Sequence, residues 1–279
     1  MRYVKEFQTQ IEYNDYRKSL DYSEPHLVLI KENNEIHYQQ KTKYLTIEAL
    51  EDGLTAKLSV NNCQYSLDGK TWVNLPANTE TPAINNGERI YFKATGLTPL
   101  SNQGIGTFTV NKLFNLRGNC MSMLFGDNAN GIYDLTGYDY AFTLLFTDNT
   151  NLLVISKDFL PATILSDWCY DSMFRGCTSL IAAPNLNAET LKTGCYYDMF
   201  NGCENLTYIK ALFNKTSSDN DTKRWVRNVN NKGVFVKNKN TFLNTYNENN
   251  IPLNWILSID NENILWDNDY IWNNNNIYK

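Results

Sequence analysis

The spacing of apolar residues changes along this chain, and each spacing predicts a different structure. From residue 44 to 119, short runs that alternate apolar and polar residues are separated by turn residues. A period of two is typical of strands with one buried face. The turns carry Asp52–Gly53, Asp68–Gly69 and Asn86–Gly87, dipeptides that favour tight hairpins. Residues 44–119 are therefore predicted to form a small β-sandwich, with strands in YLTIEAL, LTAKLSV, CQYSL, TWVNL, RIYFKA, GTFTV and LFNL.

One of these turns, SLDGKTW at residues 66–72, resembles the Asp-box of sialidase-like propellers, although it is one residue shorter and occurs once. A propeller needs several blades at a regular spacing. We therefore interpret the turn as a stable hairpin in which Asp68 accepts hydrogen bonds from local amides and Trp72 packs beneath.

From residue 120 the sequence repeats itself. CYDSMFRGCTSL at residues 169–180 returns as CYYDMFNGCENL at 195–206, and more divergent copies lie at 140–152 and 120–128. A repeat of this size cannot bury its own apolar side, so neighbouring repeats must stack. Residues 120–213 are predicted to form a short solenoid.

Within each copy the apolar residues predict a helical turn followed by a short strand. Tyr170, Met173 and Phe174 have the spacing of one helix face, and Gly176 is a residue that commonly ends a helix. The repeat core is predicted to comprise Cys169, Met173, Phe174, Cys177, Leu180, Cys195, Met199, Phe200, Cys203 and Leu206.

The pattern FxGCxxL followed by a proline-marked loop resembles the cysteine-bearing leucine-rich repeats of BspA-type bacterial surface proteins, over residues 119–213. The resemblance implies an α+β, mostly β protein whose ligands meet outward residues of the repeats. Thr207, Tyr208 and Lys210 are the candidate partner-binding residues on that basis.

The six cysteines are open to three interpretations. Four fall in the repeat register, where a thiol behaves as a small core residue. Disulfides or a metal site are the alternatives. The CxxxxxxxC spacing lacks the close chelate pair of zinc sites, and His26 and His37 lie far away in the sequence.

Residues 1–43 are predicted to be a separate docking segment. Phe7, Ile11 and Tyr16 suggest an imperfect amphipathic helix, and LVLIKENNEIHYQ predicts a hairpin that turns at Asn33–Asn34. The Tyr-rich start followed by PxLxxIKENNEIHY resembles N-terminal segments of structural proteins from phages that infect gut Bacteroidales, including crAss-like phages. That resemblance implies docking on a virion, with Tyr3, Phe7, Ile11 and Tyr16 as the candidate docking residues.

Residues 214–279 are predicted to be a C-terminal cap and a β-rich tail. RWVRNVNNKGVFVKN followed by IPLNW resembles the closing segment that follows BspA-like repeats. Such a cap covers the last strand, whose edge would otherwise be open to other chains. In the tail, Trp266 and Trp272 are either hairpin core or contacts to a partner.

Charge and motifs narrow the function classes. The net charge of −5 and the lack of a Lys/Arg stripe disfavour nucleic acid as a ligand. No stretch has the length of a signal peptide core or a membrane span. We find no nucleotide, nucleophile-elbow or chelate motif, so no catalytic residue, metal or cofactor is predicted. Asp134, Asp139 and Asp148 suit helix or turn capping, with a calcium site as the alternative.

The resemblance to phage structural proteins, together with the absence of catalytic motifs, implies a non-enzymatic surface protein of a phage virion, a head or tail decoration or fibre-like component. It would contact other virion proteins through its N-terminal segment and host-surface glycan or protein through its repeats, as a homo-oligomer. A bacterial cell-surface or secreted adhesin is the alternative. A carbohydrate-active enzyme containing the Asp68 hairpin is a third possibility.

Overall fold

The computed structural model describes residues 43–260, except 95, 100–102, 215, 240–242 and 244, together with the backbone of three earlier strands. These strands are β1 (Val4–Phe7), β2 (His26–Ile30) and β3 (Glu35–Gln39). The chain divides into two compact units; the first contains this sheet, and the second spans Lys43–Asn261.

In the first unit, β1 pairs parallel with β2, and β2 pairs antiparallel with β3. The hairpin predicted from LVLIKENNEIHYQ is confirmed, while its turn at Asn33–Asn34 lies outside the described residues. Phe7 ends β1, opposite Ile30, so the predicted helix does not include it. A strand is favoured over a helix here because β2 supplies backbone hydrogen-bond partners along residues 4–7. Tyr3, Ile11 and Tyr16 lie outside the described residues.

The second unit begins with seven strands, one within each run that the alternation predicted. The central ones pair antiparallel in the order β7-β6-β8-β4-β10, and β5 pairs antiparallel with β9. The seven predicted strands are confirmed, and the region is β-rich as expected. The strands are β4 (Leu45–Ala49), β5 (Ala56–Leu58), β6 (Cys63–Ser66), β7 (Val73–Leu75), β8 (Arg89–Ala94), β9 (Phe108–Val110) and β10 (Phe114–Arg117).

The hairpin between β6 and β7 has the predicted chemistry. Asp68 Oδ1 accepts hydrogen bonds from the backbone N–H groups of Lys70 and Thr71, at 2.8 and 2.7 Å. Gly69 adopts a φ of 71°, a conformation that glycine reaches without strain. Trp72 packs edge-on against Tyr44, with ring centroids 4.6 Å apart.

The segment at residues 120–128 does not behave as a repeat copy. It forms helix α1 (Ser122–Phe125) and a 3₁₀ turn (Gly126–Asn128). The Ser122 hydroxyl accepts a hydrogen bond from Leu45 N–H (2.8 Å) and donates one to the Phe92 carbonyl (2.9 Å). This segment is therefore tied to β4 and β8, and its interpretation as a repeat is wrong.

Four turn-rich segments lie against one another, and we call them coils 1 to 4: residues 138–150, 166–178, 192–204 and 218–230. Alternate N–H groups of each coil donate to carbonyls of the next. Tyr140 N–H bonds to Asp167 O (2.9 Å), and Phe142 N–H to Cys169 O (2.7 Å). The intervening N–H groups bond three residues back in their own coil, as Thr143 does to Tyr140. The same ladder joins coil 2 to coil 3 and coil 3 to coil 4.

The helical turns predicted in the repeats are wrong. In coils 1 to 3 every fourth residue has a positive φ, with 58° at Trp168, 53° at Ser172 and 72° at Gly176 in coil 2. A right-handed helix cannot pass through such residues. Two inward residues then alternate with two outward ones, so the apolar residues recur every four positions. That period is close to the 3.6 residues of a helix, which explains the error.

A short strand or a single bridge follows each coil. The strands are β11 (Leu152–Ile155), β12 (Tyr208–Ala211), β13 (Val234–Lys237) and β14 (Ile256–Ile259). β11 joins β10 in parallel, single parallel bridges link Val154 to Ala182 and Ala182 to Tyr208, and β12, β13 and β14 pair in parallel. One parallel ladder thus continues the β4–β10 sheet along all the coils.

Residues 44–119 and 120–213, which the sequence divides into two domains, share one apolar core. The ten predicted core residues are all buried in it. Two columns of rings run through this core. They are Phe108, Phe146, Phe174 and Phe200, with successive centroids 5.1, 6.1 and 5.9 Å apart, and Phe142, Tyr170, Tyr196 and Trp225, at 5.6, 6.1 and 6.2 Å.

Strand β9 closes the first end of the coil stack. Phe108 N–H bonds to Leu145 O (2.8 Å), and the Asn149 side chain donates to Phe108 O (2.8 Å). In the next two coils a cysteine replaces that asparagine. The thiols of Cys177 and Cys203 donate to the carbonyls of the preceding coil, at 3.2 and 3.1 Å. A cysteine therefore satisfies a buried carbonyl as well as filling space.

The loop at residues 245–251 closes the other end. Asn249 Oδ1 accepts the N–H of Arg224 at 2.6 Å, and the Glu248 carbonyl accepts that of Val226 at 3.2 Å. The Trp225 indole N–H donates to the Asn250 carbonyl at 2.9 Å. Side-chain and loop oxygens thus replace the carbonyls that a further coil would supply.

Candidate functional site

The outward residues of the coils form columns across the stack, because successive coils keep the same register. Tyr140 of coil 1 and Trp168 of coil 2 occupy equivalent positions, and their rings stack with centroids 6.2 Å apart. The Trp168 ring also contacts Tyr197 of coil 3, at 5.5 Å. All three side chains are half-buried. We call these three residues the aromatic face.

The backbone beneath the aromatic face is unusual. Tyr140 and Trp168 have φ angles of 59° and 58°, which bulky side chains rarely adopt. The inter-coil ladder holds them there, since Trp168 N–H bonds to Thr193 O at 2.8 Å. The equivalent residue of coil 3 is Gly194, and a Cβ at that position would overlap the Trp168 ring. Glycine at position 194 therefore leaves space for the Trp168 ring, which any larger side chain at that position would displace.

Charged groups lie beside the rings. Asp198 is 4% exposed and pairs with Arg224, whose Nε lies 3.0 Å from Asp198 Oδ1. The same guanidinium donates to the Tyr197 hydroxyl at 2.9 Å and lies 5.1 Å from the Tyr197 ring centroid. The hydrogen bond with Asp198 raises the pKa of Arg224 further. This pair holds Tyr197 in place from the side of coil 4.

Asp171 is a partly buried carboxylate of coil 2. It follows Trp168 by three residues and occupies the same column as Tyr197. Its carboxylate accepts the Ser172 hydroxyl at 2.7 Å. Burial raises the pKa of Asp171 to about 6, and the charge of Asp198 acts in the same direction. Among the described residues, no lysine or arginine forms an ion pair with Asp171.

This arrangement places aromatic surface, a carboxylate, a phenol hydroxyl and a guanidinium side by side. Partly buried rings with a polar group nearby are found at binding surfaces, where one part packs and the other forms hydrogen bonds. The aromatic face and Asp171 are therefore the candidate binding site. The sequence analysis missed this site, because the helical interpretation of the repeats assigned the wrong residues to a common face.

The predicted partner-binding residues on the strand side are engaged within the chain. Tyr208 is 7% exposed and packs with Ala182 and Val236, and burial raises its pKa to about 12. Lys210 Nζ lies 2.9 Å from Asp260 Oδ1. The Thr207 hydroxyl donates to Ile181 O at 3.2 Å. Tyr208 is thus a buried residue and not an exposed contact, while Trp266 and Trp272 lie outside the described residues.

All six cysteines are buried free thiols. Burial raises the pKa of Cys63 and of Cys169 to about 12 and raises those of the others as well. Such thiols stay protonated and are poor nucleophiles. In the part of the chain that the structure describes, no group of three His, Cys, Asp or Glu side chains is placed to hold a metal ion.

The loop aspartates proposed as caps or calcium ligands lie on coil 1 and just before it. Asp134 Oδ1 accepts the Thr136 N–H at 2.7 Å, and Asp139 Oδ1 accepts the Asp167 N–H at 3.2 Å. Both therefore act on local or neighbouring backbone amides. Asp148 faces Arg175, with 4.0 Å between the charged atoms.

A second aromatic and charged cluster lies at the end of the sheet. Lys93, only 7% exposed, has its Nζ 4.3 Å from the Trp72 ring centroid and 2.7 Å from Asp127 Oδ2. Tyr44 donates to the same carboxylate at 2.6 Å. Hydrogen bonds from Lys93 and Tyr44 lower the pKa of Asp127 to about 2. Because these groups satisfy one another, the cluster fixes the 3₁₀ turn that follows α1 to the sheet.

An open cleft lies beside the β6–β7 hairpin. It is lined by Tyr65, Ser66, Leu67, Asp68, Thr71 and Val73. The backbone amides of Thr71 and Lys70 are the main cause of the lowered pKa of Asp68. This carboxylate is therefore occupied in holding the turn.

Searches of the chain against protein-family models, curated proteins and solved structures gave no match. Within its described residues the chain has no helix of the length and apolar character required to span a bilayer.

Proposed function

We propose that this chain is a non-enzymatic display protein of a phage virion surface, which binds material on the host surface through the outward side of its coils. The observation that carries the proposal is the aromatic face, with Asp171 beside it. These side chains lie on a regular, hydrogen-bonded stack, and a rigid support lowers the entropic cost of binding.

The repeat chemistry supports the same assignment. We infer that coils 1 to 4 are the units of a leucine-rich-repeat-like solenoid of the BspA type, preceded by a sandwich-like β domain. The cysteines serve in its core as hydrogen-bond donors to buried carbonyls. This structural use of Cys177 and Cys203, together with the burial of Cys169 and Cys195, fits a protein that presents a surface.

The N-terminal segment, residues 1–43, is proposed to dock on the particle through Tyr3, Phe7, Ile11 and Tyr16. Its β1–β3 sheet belongs to a compact unit separate from the one that carries the coils. Many copies on one particle would multiply weak individual contacts by avidity. The other partners in this proposal are virion proteins, a second copy of the chain, and a glycan or protein of the host surface.

Immunogold electron microscopy tests the location. Antibodies raised against the chain are applied to purified particles of the phage whose genome encodes it, and to uninfected host cells as the control. Labelling of intact particles at a regular site is the expected result. Labelling of the surface of uninfected cells, with bare particles, would overturn the proposal in favour of the bacterial adhesin.

A further inference from the structure

The sheet that runs along the second unit ends in an open strand, β14. We propose that two copies of this chain associate about a two-fold axis, by pairing the free edge of β14 with the same edge of the second copy. The pairing rests on the proposed function, in which a second copy is a partner, and it names the strand that this partner contacts.

The free edge of β14 presents backbone hydrogen-bonding groups. Among the described strands, β14 has a neighbour on one side only, β13. In a parallel pair, a residue directs both of its backbone groups to one side, and successive residues alternate. Ile256 N–H bonds to Gly233 O, and Asp260 N–H bonds to the last carbonyl of β13, both at 2.8 Å. Leu257 and Ile259 therefore direct their N–H and C=O groups away from β13.

The opposite end of the sheet is protected in a way that β14 is not. That end is β7, which has three residues and is followed directly by Pro76, a residue without an N–H. Short strands, prolines and charged side chains keep sheet edges from pairing with other chains. The four residues of β14 include neither a charge nor a proline. The edge at β14 is therefore the one that can accept another strand.

The surface around this edge is apolar. Residues 245–260, which we call the last layer, comprise the loop that closes coil 4 and the strand β14. Both charged side chains of the last layer pair within the chain, Glu248 with Arg227 (3.6 Å) and Asp260 with Lys210 (2.9 Å). Of the seven exposed large apolar side chains among the described residues, three lie in this layer: Tyr246 (44%), Leu253 (63%) and Ile256 (62%). A second copy of the same layer would bring apolar surface and no unpaired charge, so the two copies would not repel each other.

A two-fold axis through Ser258 makes the edge complementary to itself. Leu257 of each copy would lie opposite Ile259 of the other, and each such pair exchanges both of its N–H···O hydrogen bonds. All the backbone groups that these residues direct away from β13 are then paired. The axis is perpendicular to the sheet, so both apolar cores stay on the same side and the two last layers meet. Interfaces of this isologous kind are the commonest in homo-oligomers.

Cysteine cross-linking of the full chain tests the register. Across the axis the two Ser258 residues form a pair without hydrogen bonds, whose Cα atoms lie about 4.5 Å apart, a separation that a disulfide spans. The two Ile256 residues would lie roughly 14 Å apart, which is too far. Under oxidised glutathione, we expect Ser258→Cys to form a disulfide-linked dimer on non-reducing gels. Ile256→Cys is the matched control and should stay monomeric, since the six native cysteines are buried.

Sedimentation equilibrium of edge variants tests the hydrogen bonds. Ile259→Pro removes an N–H that points away from β13, so it costs the chain none of its own hydrogen bonds. It should raise the dissociation constant of the dimer at least roughly tenfold, because one bond is lost on each side of the axis. Ile259→Val keeps the N–H and should dimerise like the wild type. Near-ultraviolet circular dichroism checks that each variant keeps its fold.

Three results would overturn the proposal. They are a wild-type chain that stays monomeric at about 0.1 mM, a folded Ile259→Pro variant that dimerises like the wild type, and equal cross-linking of Ser258→Cys and Ile256→Cys. The second would assign the contact between copies to another surface. None of these results affects the immunogold labelling, so failure of the β14 pairing and failure of the virion assignment are distinguishable.

Discussion

The β-sheet region at residues 45–117 and the coil region at 138–230 build one core in different ways. In the sheet, antiparallel strands each make their own contacts, and no two strands are interchangeable. In the coils, the same backbone ladder and the same ring positions recur from one coil to the next. In the sheet, the loss of stability caused by a substitution should depend on which residue is replaced. In a coil, a substitution should also destabilise the coils on both sides of it.

The centre of the sheet illustrates the first case. Glu48 on β4 lies between Arg89 on β8 and Arg117 on β10, with N–O distances of 2.8 and 2.6 Å. Burial alone would raise the pKa of Glu48, but the two guanidinium groups outweigh it and the pKa is lowered. One carboxylate thus joins three neighbouring strands.

The largest effect is expected from Phe174→Ala in coil 2. Phe174 is fully buried between Phe146 and Phe200, so its loss leaves a cavity in the ring column and should lower the free energy of unfolding by about 4 kcal/mol. Urea denaturation measures the loss. Hydrogen exchange should show faster exchange in coils 1 and 3 as well as in coil 2. Acceleration confined to coil 2 would contradict nearest-neighbour coupling.

Glu48→Gln should cost about 3 kcal/mol, because it removes the charge of the buried carboxylate that two partly buried guanidinium groups contact. The pH dependence of this stabilisation follows from the lowered pKa of Glu48. The stabilisation is present above the unfolded-state pKa and is lost as pH falls through the folded-state value. Urea titrations between pH 3 and 8 should therefore show a shallower acid decline in the variant. Glu51→Gln, at an exposed site, is the control and should leave the profile unchanged.

Gly194→Ala should cost about 2 kcal/mol, since it adds a clash with the Trp168 ring to the strain of a positive φ. Gly131→Ala is a matched control: its φ is 81°, but a Cβ there meets nothing within 4 Å, so about 1 kcal/mol is expected. Thermal unfolding compares the two. Combining Gly194→Ala with Trp168→Ala should remove the excess cost, and an excess that persists would show that the ring does not lie over residue 194.

The smallest expected effect is an increase in folding stability, in Asp171→Asn. The pKa of Asp171 is raised to about 6, so the folded state binds more protons than the unfolded state between its usual value and pH 6. Stability conferred by this group therefore falls as pH rises through that window. Asp171→Asn should stabilise the chain at pH 8 by about 1 kcal/mol, after allowance for solvent screening. Asp158→Asn, at an exposed position, should show no such gain; a loss of stability in Asp171→Asn would contradict the assignment.

The sequence predicted the sheet region well and the coil face poorly, for one physical reason. Strands such as YLTIEAL follow a period of two, which no other regular structure shares. In the coils, the inward pairs Cys169–Tyr170 and Met173–Phe174 recur with a period of four, which is hard to distinguish from a helix. The decisive positive φ falls on Trp168 and Ser172, residues that carry no signal for it. The roles of β9 and Asn249 as ends of the stack depend on contacts between distant parts of the chain.

Electron cryomicroscopy of the phage particle tests the central claim most directly. The account predicts density for the coil stack on the outside of the particle, with Trp168 and Tyr197 directed toward solvent. Density for the chain inside the capsid, or with the Trp168 side of the coils buried against another virion protein, would contradict display of this surface.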